Sequence, residues 1–148
     1  MIYSNSIEDV KVENLTGFFI GWPNPPSSQV LLNILKNSGY FVVAIDDENN
    51  RVVGFITCLT DNVLTVYIPL LEVLPEYQKL GIGSELIRSV FKKFSNIYEI
   101  DLCCDEELQD YYSRFGMKKS YGMTLMKYEY QSGEARGDYA GVREDMEE

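Results

Sequence analysis

The sequence contains no histidine, and this absence excludes several common kinds of active site. Without an imidazole there is no Ser-His-Asp or Cys-His catalytic system, no histidine-ligated zinc and no histidine base. Cysteine is also scarce, since the only thiols are Cys58, Cys103 and Cys104. An odd number of cysteines, two of them adjacent, makes a poor disulfide framework and a poor metal site. We therefore expect inert, buried thiols and no bound metal.

Positive charge and long apolar runs are scarce as well. The chain has 13 basic and 23 acidic residues and a net charge of −10 at pH 7. This balance disfavours nucleic acid and anionic membranes as partners. No apolar run approaches the ~20 residues of a membrane span. The first residues, 1–4, lack the basic start of a secretory signal, so we predict a cytoplasmic protein.

Length and composition predict one globular domain. The chain has 148 residues, of which 45% are hydrophobic, which is enough to bury a substantial core. We place this domain at 1–130. Residues 131–148 carry six acidic and two basic groups and almost nothing apolar, so they read as an acidic C-terminal tail.

Periodicity and turn residues predict an α/β fold with a mixed central sheet flanked by helices. Short turns join the first three strands into an antiparallel meander, and a helical crossover makes the fourth strand parallel to the third. Pro69 cannot donate to a strand ladder, so we expect a bulge that splays the parallel pair near it. The predicted helices cover 7–21, 27–39, 83–94 and 106–115, and the predicted strands cover 40–46, 52–60, 63–74, 97–104 and 121–130.

The most informative segment is the loop between the third strand and the helix at 83–94. Gly81 and Gly83 let the backbone approach a ligand closely, and the first N–H groups of the following helix are free to bind an anion. Together with the helix dipole, these donors suit a phosphate or pyrophosphate. The spacing fits neither a Walker loop nor the dinucleotide fingerprint, whose third small residue is replaced here by Leu86.

The pattern Gln78-x-x-Gly81-x-Gly83 after a strand and proline resembles the acetyl-CoA loop of the GNAT superfamily of N-acetyltransferases. A second segment, 105–117, resembles the family pattern Asn-x-x-Ala-x-x-Phe-Tyr-x-x-x-Gly-Phe. Tyr111 and Tyr112 fall on its Phe-Tyr pair. Two positions depart from the family, since Asp105 replaces Asn and Leu108 replaces Ala.

The resemblance implies that acetyl-CoA is the co-substrate. In the family, main-chain groups at the end of the splayed strand bind the pantetheine arm, and the glycine loop binds the pyrophosphate. Transferred to this chain, the implied contacts are Leu71, Val73, Leu74, Gln78, Lys79, Leu80, Gly81, Ile82, Gly83, Ser84, Asp105 and Tyr111. We expect the loop residues to act mainly through backbone donors, so that the Ile82 side chain matters little.

Two side chains are candidates for the chemistry. Tyr112 is the candidate general acid, because a phenol can hydrogen-bond or protonate a departing thiolate. Glu72 is the candidate base, because it is the lone carboxylate in an otherwise apolar strand and burial raises a carboxyl pKa. Glu72 could instead face solvent or pair with a lysine.

The resemblance implies an N-acetyltransferase that moves acetyl from acetyl-CoA to a primary amine by direct transfer in a ternary complex. The acceptor stays open, although an acidic protein would suit a small cation such as a polyamine, an aminoglycoside or a lysine-like amine. Two alternatives remain: a non-catalytic CoA-binding sensor or interaction module, and an unrelated α/β domain whose glycines only make a turn. Exposed aromatic residues near the C-terminal strand would permit a homodimer.

Overall fold

The computed structural model describes residues 1–134, which form one open sheet with helices on its faces. The strands, in chain order, are β1 (Ile2–Ser4), β2 (Tyr40–Asp46), β3 (Arg51–Thr60), β4 (Thr65–Val73) and β5 (Glu99–Leu102). The helices are α1 (Ser28–Asn37), α2 (Ile82–Lys93) and α3 (Gln109–Ser113). Short 3₁₀ turns lie at Ile7–Asp9, Val12–Asn14, Pro75–Tyr77, Glu106–Leu108 and Tyr128–Tyr130.

The sheet has the order β1-β2-β3-β4-β5, antiparallel except for the parallel pair β4–β5. This arrangement confirms the predicted α/β class with its meander and parallel crossover. The predicted bulge is present too. Thr57 is opposite Leu70 and Leu59 is opposite Tyr67, so Ile68 and Pro69 together face one β3 residue. The missing N–H of the proline explains why the ladder is interrupted there.

Apolar residues alternate along the strands and build a core on each face of the sheet. One face packs against α2, whose buried stripe is Ile82, Leu86, Ile87 and Val90. The other face packs against α1 through Leu31 and Leu35. Ser27 begins α1 as predicted, because its hydroxyl accepts from the Val30 N–H at 3.2 Å. The sheet is therefore fixed from both sides, except where β4 and β5 diverge.

The predicted helix over 7–21 is wrong. Two 3₁₀ turns occupy its first half, and the segment after them forms a loop. Gly17, Phe19 and Gly21 all have left-handed φ values, of 94°, 64° and 81°, which no α-helix accommodates. The apolar spacing was real, because Val10, Leu15 and Phe19 are buried, but the core is reached from a loop.

The predicted strand over 121–130 is also absent among the described residues. Residues 117–127 lie in neither a helix nor a strand, and a 3₁₀ turn follows at Tyr128–Tyr130. In contrast, β1 was not predicted; it is a three-residue strand that pairs with β2. The predicted acidic tail lies outside the described residues from 135 onward, so the domain boundary at 130 stays a prediction.

Candidate functional site

The site is built around a gap between β4 and β5. Their parallel pairing ends at Ile68 opposite Leu102, whereas β4 continues to Val73 and, among the described strands, pairs there with β3 alone. The Leu74 N–H donates to the Val53 carbonyl at 2.8 Å, and hydrogen-bonded positions alternate along an antiparallel pair. The main-chain groups of Leu71 and Val73 therefore point into the gap. This is the geometry in which an extended ligand can lie beside a strand.

Two of the expected cofactor contacts need correction, because their main-chain donors are already engaged. The Leu74 N–H binds Val53, and its carbonyl accepts from the Tyr77 N–H at 2.9 Å. The Gln78 N–H donates to the Pro75 carbonyl at 3.2 Å. The Gln78 side chain instead donates to the outward Val73 carbonyl at 3.0 Å. Gln78 thus braces the end of β4, and the free main-chain donors are those of Leu71 and Val73.

The N-terminus of α2 is open. Gly81 is its N-cap with φ 86°, no side chain of the described residues caps it, and the first turn carries the usual unpaired N–H groups. No atom of residues 1–134 lies within 4 Å of the position that a Gly81 Cβ would take. Lys79 also adopts a left-handed conformation, with φ 64°. These features fit a pyrophosphate cradle, since donors converge on space that a side chain would fill.

Side chains in this loop have different roles from one another. Ile82 is only 4% exposed and belongs to the core, whereas Leu80 is 69% exposed. The expectation that the Ile82 side chain matters little is therefore wrong, because shortening it would leave a cavity in the core. Ile82 is the first residue of α2. Its side chain faces the sheet, while its backbone N–H lies at the end of the helix.

Tyr111 joins the second motif to the glycine loop. Its hydroxyl lies 3.1 Å from the Ser84 Oγ, and a Cβ on Gly83 would come within 3.3 Å of the same hydroxyl. The two segments that the sequence analysis identified separately therefore meet at the first turn of α2. Asp105 is exposed and precedes the 3₁₀ turn Glu106–Leu108, which leads into α3. Its side chain does not cap that turn.

Tyr112 follows Tyr111 in the chain and is half-buried in a cleft that β5 borders. Burial raises the pKa of Tyr112 to about 12, and the nearby Cys104 and Tyr111 add to the shift. The rings of Tyr111 and Tyr112 are 5.2 Å apart in an edge-to-face arrangement, which holds the second ring in place. At neutral pH the phenol is therefore protonated and able to donate a hydrogen bond.

Glu72 has an interaction that the sequence did not reveal. Its two carboxylate oxygens accept from the Phe19 N–H at 2.8 and 3.0 Å. Burial raises the pKa of Glu72, and the N–H groups of Phe19 and Ile20 partly oppose that shift. The carboxylate thus anchors the loop between Gly17 and Gly21, which contains the left-handed φ values, over the end of β4. The only sequence signal for this anchor was the pair of glycines four residues apart.

We expect Glu72→Ala to lower the free energy of unfolding by about 1.5–3 kcal/mol, because the Phe19 N–H loses a charged acceptor. Glu72→Gln keeps an acceptor oxygen and should stay close to wild type. Urea denaturation of both variants measures this difference. If Glu72 is also the base, Glu72→Gln should lower kcat by about 10²-fold despite its stability. Equal stability of the two variants would show that the anchor contributes nothing.

The three thiols are all free, as expected, but they are not all buried. Cys58 is fully buried, and burial raises its pKa to about 12, which makes it inert. Cys103 is exposed and Cys104 is intermediate, so the expectation of buried thiols fails for the pair. Within residues 1–134 no cluster of three or more acidic, cysteine or histidine side chains could hold a metal. No described helix is long and apolar enough to cross a membrane.

Residues 7–117 match the model of a family described as "Acetyltransferase (GNAT) family". Among curated proteins, the chain is similar to an uncharacterized N-acetyltransferase of Pyropia yezoensis. The two are 27% identical over 124 residues, which cover 80% of this chain and 71% of the relative.

Two solved structures resemble the fold closely. One is from Deinococcus radiodurans R1 and is described as that of a candidate acetyltransferase. Its TM-score is 0.87 at 38% identity, covering 91% of this chain and 94% of that one. The other is a GNAT-family acetyltransferase from Streptococcus pneumoniae TIGR4. Its TM-score is 0.67 at 27% identity, covering 85% of this chain and 96% of that one.

Proposed function

Because the chain belongs to the GNAT family of acetyltransferases, we propose that it transfers acetyl from acetyl-CoA directly to a primary amine. One observation supports this most strongly. Beyond Ile68, β4 leaves β5 and turns the main-chain groups of Leu71 and Val73 toward the gap, next to the open N-terminus of α2. A diphosphate at that helix end and an extended thiol arm beside β4 would use both features at once.

The cofactor contacts follow from the free donors. The N–H groups at Gly81, Ile82, Gly83 and Ser84 would bind the pyrophosphate, and Lys79 would add a positive charge. Seven of the 13 basic residues lie in 79–119, so this part of an acidic protein is the least repulsive to an anion. Leu80 is exposed, and no described residue lies within 4 Å of the position of a Gly81 Cβ, so the approach to the helix end is free. Tyr111 would support the loop through Ser84.

Acetyl-CoA supplies the acyl group, whose carbonyl carbon gains a bond to the amine nitrogen and loses its bond to sulfur. An N–H of β4, that of Val73 being best placed, would stabilise charge on the carbonyl oxygen. Tyr112 would donate a hydrogen bond to the departing thiolate. With a pKa about 12 the phenol is a weaker acid than a thiol, so we expect stabilisation rather than lasting proton transfer. The amine loses one proton and the thiolate sulfur gains one, so the reaction releases no net proton.

The base and the acceptor belong to the same proposal. Glu72 would take the amine proton, directly or through water, while it also holds the loop at Phe19. Trp22 packs against Phe19 of that loop, with ring centroids 4.8 Å apart, and an acceptor could enter beside it. An acidic protein would favour a small cationic amine such as a polyamine, an aminoglycoside or a lysine-like amine. We propose a cytoplasmic location for this activity.

A non-catalytic CoA-binding module is the second candidate, and one observation favours it. Both oxygens of the Glu72 carboxylate accept from the same N–H, which leaves it less available as a base. Asp105 in place of the family's asparagine points the same way, because a carboxylate cannot donate a hydrogen bond. In this case the protein would bind acetyl-CoA without releasing its thiol.

Thermal unfolding with acetyl-CoA, and with adenosine as the control, tests the shared part of both candidates. A ligand at 100 times its Kd stabilises by about 2.7 kcal/mol, which is roughly 5–10 °C in Tm for a domain of this size. We expect such a shift with acetyl-CoA alone. Thiol release with a panel of the three amine classes then separates the candidates, since a sensor gives the shift but no thiol. No shift at all would contradict both.

A further inference from the structure

Trp22 is the only tryptophan of the chain, and it lies at a rigid corner of the surface. Its N–H donates to the Phe19 carbonyl at 3.2 Å and closes a turn that contains Gly21 with its left-handed φ of 81°. Pro23 follows directly and restricts the Trp22 backbone to extended conformations. A side chain that is held in this way loses little conformational entropy when it binds a ligand.

Neighbouring aromatic rings support the indole on one side. The rings of Phe18 and Phe19 lie 5.0 and 6.2 Å from that of Phe55 on β3. The Trp22 ring lies 4.8 Å from the Phe19 ring. Phe19 and Phe55 are buried, whereas Trp22 keeps 37% of its surface exposed. The packing against Phe19 therefore covers part of the indole and leaves aromatic surface for a ligand.

The same turn brings the indole close to the Glu72 carboxylate. The Phe19 N–H donates to the two Glu72 oxygens at 2.8 and 3.0 Å. The first and last Cα atoms of a four-residue turn are within about 7 Å of each other, so the Trp22 Cα lies within about 12 Å of the carboxylate. A single small molecule can therefore reach both groups.

The charge around this corner favours a cation. Residues 12–35 carry no basic side chain and a single acidic one. Arg51 reaches the loop from β3, within 3.2 Å of the position of a Gly17 Cβ, but it pairs with Glu76 at 2.9 Å. Among aromatic side chains, an indole attracts an ammonium group over its face most strongly. An exposed tryptophan beside a carboxylate, in a segment without bases, fits a positively charged ligand.

We propose that Trp22 selects the acceptor by binding a second ammonium group of the amine over its exposed indole surface. The acceptor is then a linear diamine or polyamine, with one nitrogen acetylated beside Glu72 and another held on the indole. This inference rests on the proposed function and narrows its acceptor. Trp22 contacts the far end of the acceptor, so it determines specificity and takes no part in the chemistry.

Thiol release with matched amines tests this selection. Each linear diamine from diaminobutane to diaminooctane is compared with the monoamine of the same chain length, at saturating acetyl-CoA. Loss of a cation–π contact corresponds to a factor of about 2–30 in affinity. Trp22→Leu should therefore raise the KM of the best diamine by about that factor, and leave kcat and the KM of the monoamine near wild type. Trp22→Phe keeps a ring and should retain part of the preference for the diamine.

Fluorescence gives a readout that needs no turnover. Because the chain has one tryptophan, selectively excited indole emission reports on this corner alone. With acetyl-CoA present, the diamine should change the emission in a saturable way, and the monoamine should change it less at equal concentration. A saturable response without thiol release would support the indole contact and contradict acetyl transfer, so the two proposals can fail separately.

Two results would overturn the selection by Trp22. The first is an equal change, or no change, in the KM values of the diamine and the monoamine in Trp22→Leu. In that case the indole only supports the loop at Phe19. The second is an emission that no diamine of the series alters. Acetyl transfer would survive both results, with the acceptor recognised by other residues.

Discussion

Tyr112→Phe should lower kcat by about 10²-fold and leave the Kd for acetyl-CoA nearly unchanged. The variant removes one hydroxyl from a half-buried ring, so the loss would come from the hydrogen bond to the departing thiolate and not from packing. Burial raises the pKa of this phenol to about 12, so its donor is present at neutral pH. Steady-state kinetics with the best amine of the panel, and calorimetry for acetyl-CoA, measure the two quantities.

The adjacent tyrosine provides the matched control. Tyr111→Phe removes the hydroxyl 3.1 Å from the Ser84 Oγ and should act on acetyl-CoA binding more than on kcat. The two variants are therefore expected to differ in kind, one in turnover and one in affinity. A wild-type kcat in Tyr112→Phe would remove this residue from the mechanism. The wild-type kcat should also show no loss from ionisation of this phenol between pH 7 and 10, because its donor form disappears only near pH 12.

Gly81→Val should weaken acetyl-CoA binding by about 10²-fold or more. The side chain would enter the open space at the α2 N-terminus and displace the pyrophosphate from at least two N–H groups. Hydrogen bonds to a charged group are worth about 1.5–3 kcal/mol each, and each 1.4 kcal/mol is tenfold in Kd. The left-handed φ of 86° adds a stability cost of about 1–2 kcal/mol. Calorimetry and thermal melts measure the two effects separately.

Gly21→Val separates strain from obstruction. Gly21 has a φ of 81° and, like Gly81, nothing within 4 Å of its Cβ position. Both variants should lose similar stability, but only Gly81→Val should lose affinity for acetyl-CoA. Equal affinities in the two variants would show that the cofactor does not approach the α2 N-terminus. The cradle would then be a simple turn, as the unrelated-domain alternative supposes.

Most of the fold could be predicted from local signals in the sequence. The turn residues between the first predicted strands, the helical stripe of Leu86, Ile87 and Val90, and the glycines before it each depend on a few neighbouring residues. Pro69 even located the bulge, because a missing N–H interrupts a ladder wherever the strand lies. These elements needed no knowledge of distant contacts, so they were predictable.

The errors share a different cause. The apolar spacing in 7–21 resembled a helix, but three left-handed positions, Gly17, Phe19 and Gly21, make it a loop that Glu72 holds from a distant strand. Gln78 was expected to act through its backbone, yet its side chain braces Val73. Leu74 could not be recognised as engaged before its register with Val53 was known. Glu72 and Leu74 depend on partners far away in sequence, whereas Gln78 bonds a residue five positions away whose carbonyl points outward only because of the strand register.

The sequence alone therefore determined the kind of protein: the α/β order, the bulged strand and the glycine loop at a helix start, with histidine chemistry excluded. Tertiary structure decided which atoms are available. It assigned Leu71 and Val73 to the gap, joined Tyr111 to Ser84 and tied Glu72 to Phe19. It also left Tyr121 exposed, in a segment that forms no strand within the described residues. The physical reason is that periodicity reports which face of a segment is apolar, whereas the pairing of a donor or an edge depends on the register with another segment.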